Sequence, residues 1–491
     1  MDSKPSQAHH DASDTDKAVS TTTVVVAQWD RAAEKKLMRK VDFFILPMMF
    51  MFYMLSYLDR VNIANARIQG MDKELDLDTG NRYNTAVLLF FPLYVIFEVP
   101  SNMLLKHMRP SLYLPGIMFI WGIITMCMGF VRSYQTLYAL RILLGFSEAG
   151  LVPGIIYVTS MYYRRHEFQR RLSFVFVATS LAGACGGLLA YAIAHLSGRY
   201  GYSGWRWIFI IEGAFTAFIG AVAPLVVVDW PEQCHFLNQE EKDLLQARLA
   251  DDGSAFRMDK LDGFTIKRIL TDWKIYLGSL TYMGFTVSGL SMSFFLPTVL
   301  NEFGWEATEA QVYTIPVYMF ALVLTLIMAW ASDKLKHRYA FIVLCLVMAT
   351  AGYGIALGQE HLSRGVKYFG CFLIAAGGLC ASPLCIVFLS NNEAGHWKRS
   401  VSSAVQVSCG GIAGVIGSSI FLDREKPLYR TGYGVGLGMV WVAGLAATVM
   451  ALAMWLENRR RDRGGRDERL ALPVENVQNM GDYHPHFRFT L

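Results

Sequence analysis

Long apolar segments recur along the chain, and they constrain its fold more than any other feature. Many run for about 18 residues or more, enough for a helix to cross a hydrocarbon core roughly 30 Å thick. Hydrophobic residues make up 53% of the 491 residues and charged residues only 17%, whereas about a quarter of a soluble chain is charged. The pattern excludes an ordinary soluble enzyme and a disordered scaffold. It predicts an all-α, polytopic membrane protein.

Twelve segments qualify as membrane spans, six on each side of a long polar segment. They cover residues 41–62, 83–105, 111–131, 136–162, 170–196, 205–228, 273–300, 310–332, 339–358, 366–391, 399–422 and 432–457. We therefore expect two six-helix bundles, at 41–228 and 273–457, joined by a linker at 229–272. Residues 1–40 and 458–491 are predicted to be tails, with 1–28 disordered because they are polar. Asn238 and Glu241 predict a capped, amphipathic helix in the linker.

Basic residues mark one face of the predicted bundles. The segments before the first span and after the last span are basic, and so are the short loops at 106–110, 164–171, 334–338 and 398–399. The loops on the other face are longer and more acidic. The positive-inside rule therefore places both tails and the linker in the cytoplasm. The net charge of +5 reflects this topology, and we expect the lipid bilayer rather than nucleic acid as partner.

Four ionisable residues inside the spans are candidates for function, because such residues are costly in lipid. Asp59 and Arg60 lie near the outer end of the first span, and Arg141 and Glu148 lie in the fourth. Seven residues is close to two helical turns, so Arg141 and Glu148 share one face, roughly 10 Å apart. Two arginines flanking one cavity would bind an anion, and the carboxylates would carry protons. The alternative is two structural ion pairs, Asp59–Arg60 and Arg141–Glu148.

Other intramembrane residues have two interpretations each. Glu98, Glu212 and Gln406 either line the pathway or make helix-packing or gating contacts. Glycines in the fifth and eleventh spans predict close approach between helices. The eight cysteines have no metal-ligand spacing, so we expect neither a metal site nor a cofactor.

The chain resembles the major facilitator superfamily, and more narrowly the fungal anion:cation symporter group that includes allantoate and nicotinate permeases. The resemblance spans residues 34–460 and includes LSYLDRVNIANAR, FEVPSNMLLK, RILLGFSEAGLVPGIIY, SGWRWIFIIEG and SDKLKHR. It implies the twelve-helix major facilitator fold, in which two bundles rock to alternate access. By this resemblance Arg60 and Arg141 hold the substrate and Asp59 and Glu148 handle protons.

The resemblance also implies a gate and shows departures. Asp333, Lys334 and Arg338 are similar to the superfamily's cytoplasmic loop motif, which latches helices in one state of the cycle. Gly411 stands where relatives often carry Asn, and Glu393 stands where a small or apolar residue is usual. Both departures bear on which substrate the protein binds. At position 411 the Asn side-chain amide of relatives is missing, which removes a hydrogen-bond donor and an acceptor from a possible pocket wall.

We expect a secondary transporter, namely a proton-coupled symporter of a small organic anion driven by the proton gradient. We expect a monomer in the plasma membrane, with the vacuolar membrane as the alternative. An exporter of a secondary metabolite or toxic compound is the second candidate, although the fifth span lacks the Gly-Pro signature of drug antiporters. A membrane-embedded enzyme is a remote alternative, since the sequence contains no HExxH.

Overall fold

The structure is a computed structural model that describes residues 31–105, 107–252, 267, 269–335, 337–394, 396–471 and 480–491. The segment predicted to be disordered, residues 1–28, lies outside the described residues. So do parts of the predicted linker and of the predicted C-terminal tail. Helices account for nearly all of the described regions, and the short connections between them are turns.

The N-terminal half forms ten helices. They are α1 Arg31–Ala66, α2 Asp72–Glu74, α3 Arg82–Leu88, α4 Phe90–Leu105, α5 Pro110–Met128, α6 Tyr134–Glu148, α7 Leu151–Tyr162, α8 Arg165–Phe176, α9 Ala178–Ala194 and α10 Gly204–Val222. Three predicted spans therefore consist of two consecutive helices each: α3 with α4, α6 with α7, and α8 with α9.

The linker and the C-terminal half form seven described helices, α11 Gln239–Asp252, α12 Trp273–Glu302, α13 Ala307–Leu335, α14 Arg338–Leu357, α15 Arg364–Asn391, α16 His396–Ser419 and α17 Arg430–Asp462. The helix predicted in the linker is α11, and the Glu241 carboxylate accepts a hydrogen bond from the Asn238 N–H at 3.0 Å. Each of α12 to α17 corresponds to one predicted span.

Eleven helical segments of the described residues are long and apolar enough to cross a membrane, one fewer than the sequence predicts. The difference is the second span, which Leu89 divides into helices of 7 and 16 residues. Pro92 accounts for the interruption, because it has no N–H to bond the carbonyl of Leu88. Pro153 likewise follows the break between α6 and α7.

The helix pairs that join the two halves include α9 with α13, α4 with α16 and α1 with α12. Glycines permit the first two of these contacts. A Cβ at Gly187 would lie 2.4 Å from Thr314 Oγ1, and a Cβ at Gly414 would overlap the ring of Phe91. The close approach predicted for these glycines is confirmed, and it brings the halves together around a central cavity.

Candidate functional site

A cavity of about 80 Å³ lies between the two halves. Its wall contains six aromatic side chains, Tyr53, Tyr57, Phe91, Tyr94, Phe176 and Tyr282, and small or apolar residues fill most of the rest. Among its described lining residues, Arg60 alone is charged. The cavity is therefore an aromatic chamber with one cationic group.

Helix α1 supplies the polar wall of this cavity. Tyr53, Tyr57 and Arg60 are spaced by four and three residues, which places them on one face of a helix. The Tyr57 hydroxyl lies 2.5 Å from Ser293 Oγ in the C-terminal half. The sequence analysis did not identify these tyrosines. Their spacing from Arg60 in the segment YMLSYLDR, residues 53–60, nevertheless predicts that all three side chains share one helix face.

Arg60 pairs with Glu148 across two helices. Its Nη2 and Nε lie 2.5 and 2.9 Å from Glu148 Oε1, and the Ser56 hydroxyl donates to the same oxygen. The guanidinium also lies 5.0 Å from the centre of the Tyr94 ring. The other carboxylate oxygen, Oε2, is buried and has no hydrogen-bond partner among the described residues. Arg60 thus stands between a carboxylate and the aromatic chamber.

Arg141 occupies a different position from the one expected. It is 2% exposed and is absent from the described cavity wall, so the two arginines do not flank one cavity in this conformation. Its Nε and Nη2 have no hydrogen-bond partner in the part of the chain that the structure describes. Neither ion pair of the alternative interpretation is among the described salt bridges, and Arg60–Glu148 takes their place.

Asp59 faces away from Arg60, because neighbouring residues on a helix are about 100° apart. Its carboxylate accepts a hydrogen bond from Trp121 Nε1 at 2.9 Å, and Thr216 Oγ1 lies 3.4 Å away. Asn62 donates to the carboxylate of Glu212 at 2.6 Å. These residues form a polar layer between α1, α5 and α10, behind the cavity wall.

Glu98 and Gln406 lie outside the described cavity wall. Glu98 accepts a hydrogen bond from Ser408 of the other half at 3.2 Å. Gln406 donates to the carbonyls of Gly278 and Cys385 at 3.3 and 3.2 Å. The contacts of Gln406 fit the packing interpretation, whereas Glu98 joins the two halves.

The halves are joined at the face opposite the termini. Arg67 pairs with Asp423 at 2.5 Å, and its guanidinium lies 3.9 Å from the centre of the Tyr83 ring. Asn84 Nδ2 donates to the Phe421 carbonyl at 2.7 Å. All three contacts lie in or near the loops of that face, so they close the cavity from that side.

A cleft of about 450 Å³ opens at the face that carries the termini. Asp333, Lys334 and Arg338 line it together with residues of α8 and α15, and Pro383 lines both the cleft and the cavity. Arg338 Nη2 lies 2.5 Å from Asp333 Oδ1, so the loop motif is paired within its own half. The cleft therefore lies on the side of the termini, opposite to the Arg67–Asp423 and Asn84–Phe421 contacts that join the halves.

Two helical halves around a central cavity, with a cleft on the side of the termini, are the architecture of a multi-pass membrane transporter. A family model described as the Major Facilitator Superfamily matches residues 49–418. The chain belongs to this superfamily and is a membrane transporter rather than an enzyme.

Similar proteins cover nearly the whole chain. An uncharacterized transporter of Schizosaccharomyces pombe is 33% identical over 94% of this chain and 91% of its own length. The high-affinity nicotinic acid transporter of Saccharomyces cerevisiae is 29% identical over 93% of this chain and 85% of its own length. The crystal structure of a D-xylose-proton symporter has a TM-score of 0.61 at 15% identity, covering 83% of this chain and 97% of that chain; this likeness concerns the fold.

Proposed function

We propose that the protein is a proton-coupled symporter of a small organic anion, in the fungal anion:cation symporter group that includes allantoate permeases. One observation carries the proposal: Arg60, which faces the aromatic cavity, is held by Glu148. The proton gradient across the plasma membrane supplies the driving force, and no cofactor takes part. The protein works as a monomer.

Coupling follows from competition for Arg60. A guanidinium fork binds one carboxylate well, so a substrate carboxylate replaces Glu148 rather than joining it. Displacement leaves a buried, unpaired carboxylate, which is costly unless it takes up a proton. The unpartnered Glu148 Oε2 is a position for that proton. The anion and the proton therefore enter together, and the cavity stays neutral.

The cavity suits an aromatic or heteroaromatic monocarboxylate. Its rings offer stacking surfaces, and its one cation matches one carboxylate. The part of the cavity beside Arg60 has a volume of about 80 Å³, which accommodates a small acid. The likeness to a nicotinic acid transporter points in the same direction.

Arg141 and the loop motif act in other states of the cycle. A buried guanidinium with unpartnered nitrogens costs about 1–3 kcal/mol or more, so Arg141 is poised to bind the anion when the helices move. Asp59 handles protons beside it. Asp333, Lys334 and Arg338 line the open cleft here and close it as a gate when access alternates.

Proton flux in proteoliposomes tests this function. Vesicles containing the protein and an internal pH dye receive nicotinate, benzoate or allantoate, with nicotinamide as the uncharged match for nicotinate. We expect faster internal acidification with nicotinate or benzoate than in protein-free vesicles, where only the uncharged acids cross the bilayer, and none with nicotinamide. Equal rates with and without protein for every anion, in vesicles shown to hold folded protein, would overturn the proposal.

A further inference from the structure

Glu212 of α10 is a buried carboxyl group that the coupling scheme does not use. It is 4% exposed. Its Oε2 accepts a hydrogen bond from Asn62 Nδ2 at 2.6 Å, and its Oε1 has no hydrogen-bond partner among the described residues. The same Asn62 nitrogen lies 3.4 Å from Asp59 Oδ1. One amide therefore stands between two buried carboxyl groups.

Few charges surround this pair. Helix α1 contributes Asp59 and Arg60, and α6 contributes Arg141 and Glu148, which interact electrostatically with Asp59. Helices α5 and α9, which also pack against α10, contain no charged residue. Arg206 of α10 and Arg67, in the segment packed against α10, are paired with Glu74 and Asp423. The other described charged neighbours comprise three carboxyl groups and two guanidinium groups, counting Glu212 itself.

The charges balance only when one carboxyl group carries a proton. Arg60 is paired with Glu148, so Arg141 alone remains for Asp59 and Glu212. An uncompensated charge in such an interior costs several kcal/mol. Asp59 accepts a hydrogen bond from Trp121 and interacts with Arg141, whereas no cation among the described residues forms an ion pair with Glu212. The proton therefore belongs on Glu212.

We propose that Glu212 is a permanently protonated positioning residue, which keeps Asp59 charged beside Arg141. Asn62 explains how both groups are accommodated. Its Nδ2 donates to Glu212 Oε2 at 2.6 Å, and its buried Oδ1 has no hydrogen-bond partner among the described residues, so Oδ1 is available to accept the proton of the Glu212 carboxylic acid. The inference rests on the proposed function only in assigning Arg141 and Asp59 to the transport cycle.

Wild-type minus variant infrared spectra of the reconstituted protein test this assignment directly. The carbonyl stretch of a protonated carboxyl group is separate from that of a carboxylate, and at neutral pH we expect Glu212→Gln to lose the band of one carboxylic acid. Asp59→Asn keeps that band, because Asp59 is charged. Thr125→Val is the matched control, since Thr125 is fully buried on the neighbouring α5 and its hydroxyl has no partner among the described residues.

If Glu212→Gln left the carboxylic-acid band unchanged, the proposal would be overturned. If only Asp59→Asn lost that band, the protonated group would be Asp59. Should Glu212→Gln fail to fold, Glu212→Asp gives the same decision, because its shorter side chain shifts the band if this residue is protonated and leaves it unchanged otherwise. The measurement needs no substrate. If Glu212→Gln loses the carboxylic-acid band but the wild-type protein moves no protons in the vesicle assay, proton symport is overturned and the protonation of Glu212 stands.

Discussion

The two halves of the transporter bury their charged residues in different ways. The N-terminal half holds a central cluster beside the cavity, consisting of Asp59, Arg60, Arg141, Glu148 and Glu212. The C-terminal half holds a tail cluster at the face of the termini, where residues 480–491 meet the ends of α12 and α16; it consists of Asp272, Lys274, Glu393, Lys398 and Asp482.

The cations of the tail cluster have abundant partners. Lys398 Nζ lies 2.9 and 2.8 Å from the two carboxylate oxygens of Asp482 and also contacts Asp272. Arg461 Nη2 donates to the backbone carbonyl of Asp482 at 3.0 Å. These contacts hold the described end of the chain on the C-terminal half.

The central cluster contrasts with this arrangement, since Arg141 and Glu148 keep buried atoms without partners in the described structure. Unmet hydrogen-bonding capacity is a cost to stability, and it is useful only where another molecule or another conformation meets it. The tail cluster is therefore expected to stabilise the fold, whereas the unmet capacity of the central cluster is available to a ligand under the proposed function. Changes in the two clusters should therefore affect different measurements.

The largest effect is expected from Glu148→Gln. The amide cannot exchange a proton, so uptake of nicotinate against its gradient should be abolished. Exchange of internal for external anion should persist, because Arg60 is then free to bind the carboxylate. Labelled nicotinate in proteoliposomes measures both processes in the same vesicles, and exchange serves as the internal control for folding. Loss of exchange together with uptake, in monodisperse protein, would contradict the coupling role.

A second, smaller effect should follow from Lys398→Met, and it concerns stability. The substitution leaves Asp272 and Asp482 buried with only Lys274 as a described cationic partner. Breaking a buried ion pair typically costs about 3–5 kcal/mol, so the midpoint of thermal unfolding should fall markedly. Lys35→Met is the control, because Lys35 is exposed on α1 and should change stability by less than about 0.5 kcal/mol. Equal midpoints in the two variants would show that the tail cluster contributes no net stability.

Sequence reasoning captured the fold because apolar length and the spacing of loops are local signals. The spans and the linker helix followed from such signals, and the resemblance supplied the superfamily. The division of the second span was missed, although Pro92 is visible in the sequence. A proline removes one hydrogen bond to a backbone carbonyl of its helix. Whether the helix then breaks or continues with a kink depends on its packing against neighbouring helices, which the sequence does not give.

The candidate site was less accessible to prediction, because it depends on contacts between distant segments. The sequence identified Arg60 and Glu148 as candidates, and only the alternative interpretation placed them in ion pairs, with Asp59 and Arg141. The structure instead pairs Arg60 and Glu148 with each other across 88 residues. Periodicity fixes the face of a helix and not its rotation against other helices. Glu393 was noticed only as a departure from relatives, and its position in the tail cluster required the placement of α16 and the end of the chain.

The smallest effect concerns pH and Glu393, which lies outside the membrane-spanning segments. Burial raises the pKa of Glu393 to about 7, and Lys398 and the Ser402 hydroxyl offset only part of this effect. A carboxyl group whose pKa is raised in the folded state adds stability below its ordinary pKa of 4.5, and this contribution is lost as pH rises to about 7. The loss amounts to about 3 kcal/mol at most.

Glu393→Gln should therefore remove a fall in the unfolding midpoint between about pH 4.5 and 7, which thermal scans of both proteins would measure. Asp482 provides the contrast within the same cluster. Burial opposes its ionisation, but Lys274 and Lys398 outweigh burial and lower its pKa below 3.8. Its stabilisation is present above that value and is lost only as pH falls through the lowered pKa, so the two windows do not overlap. If Glu393→Gln kept the wild-type slope above pH 4.5, a group outside the tail cluster would have to cause it.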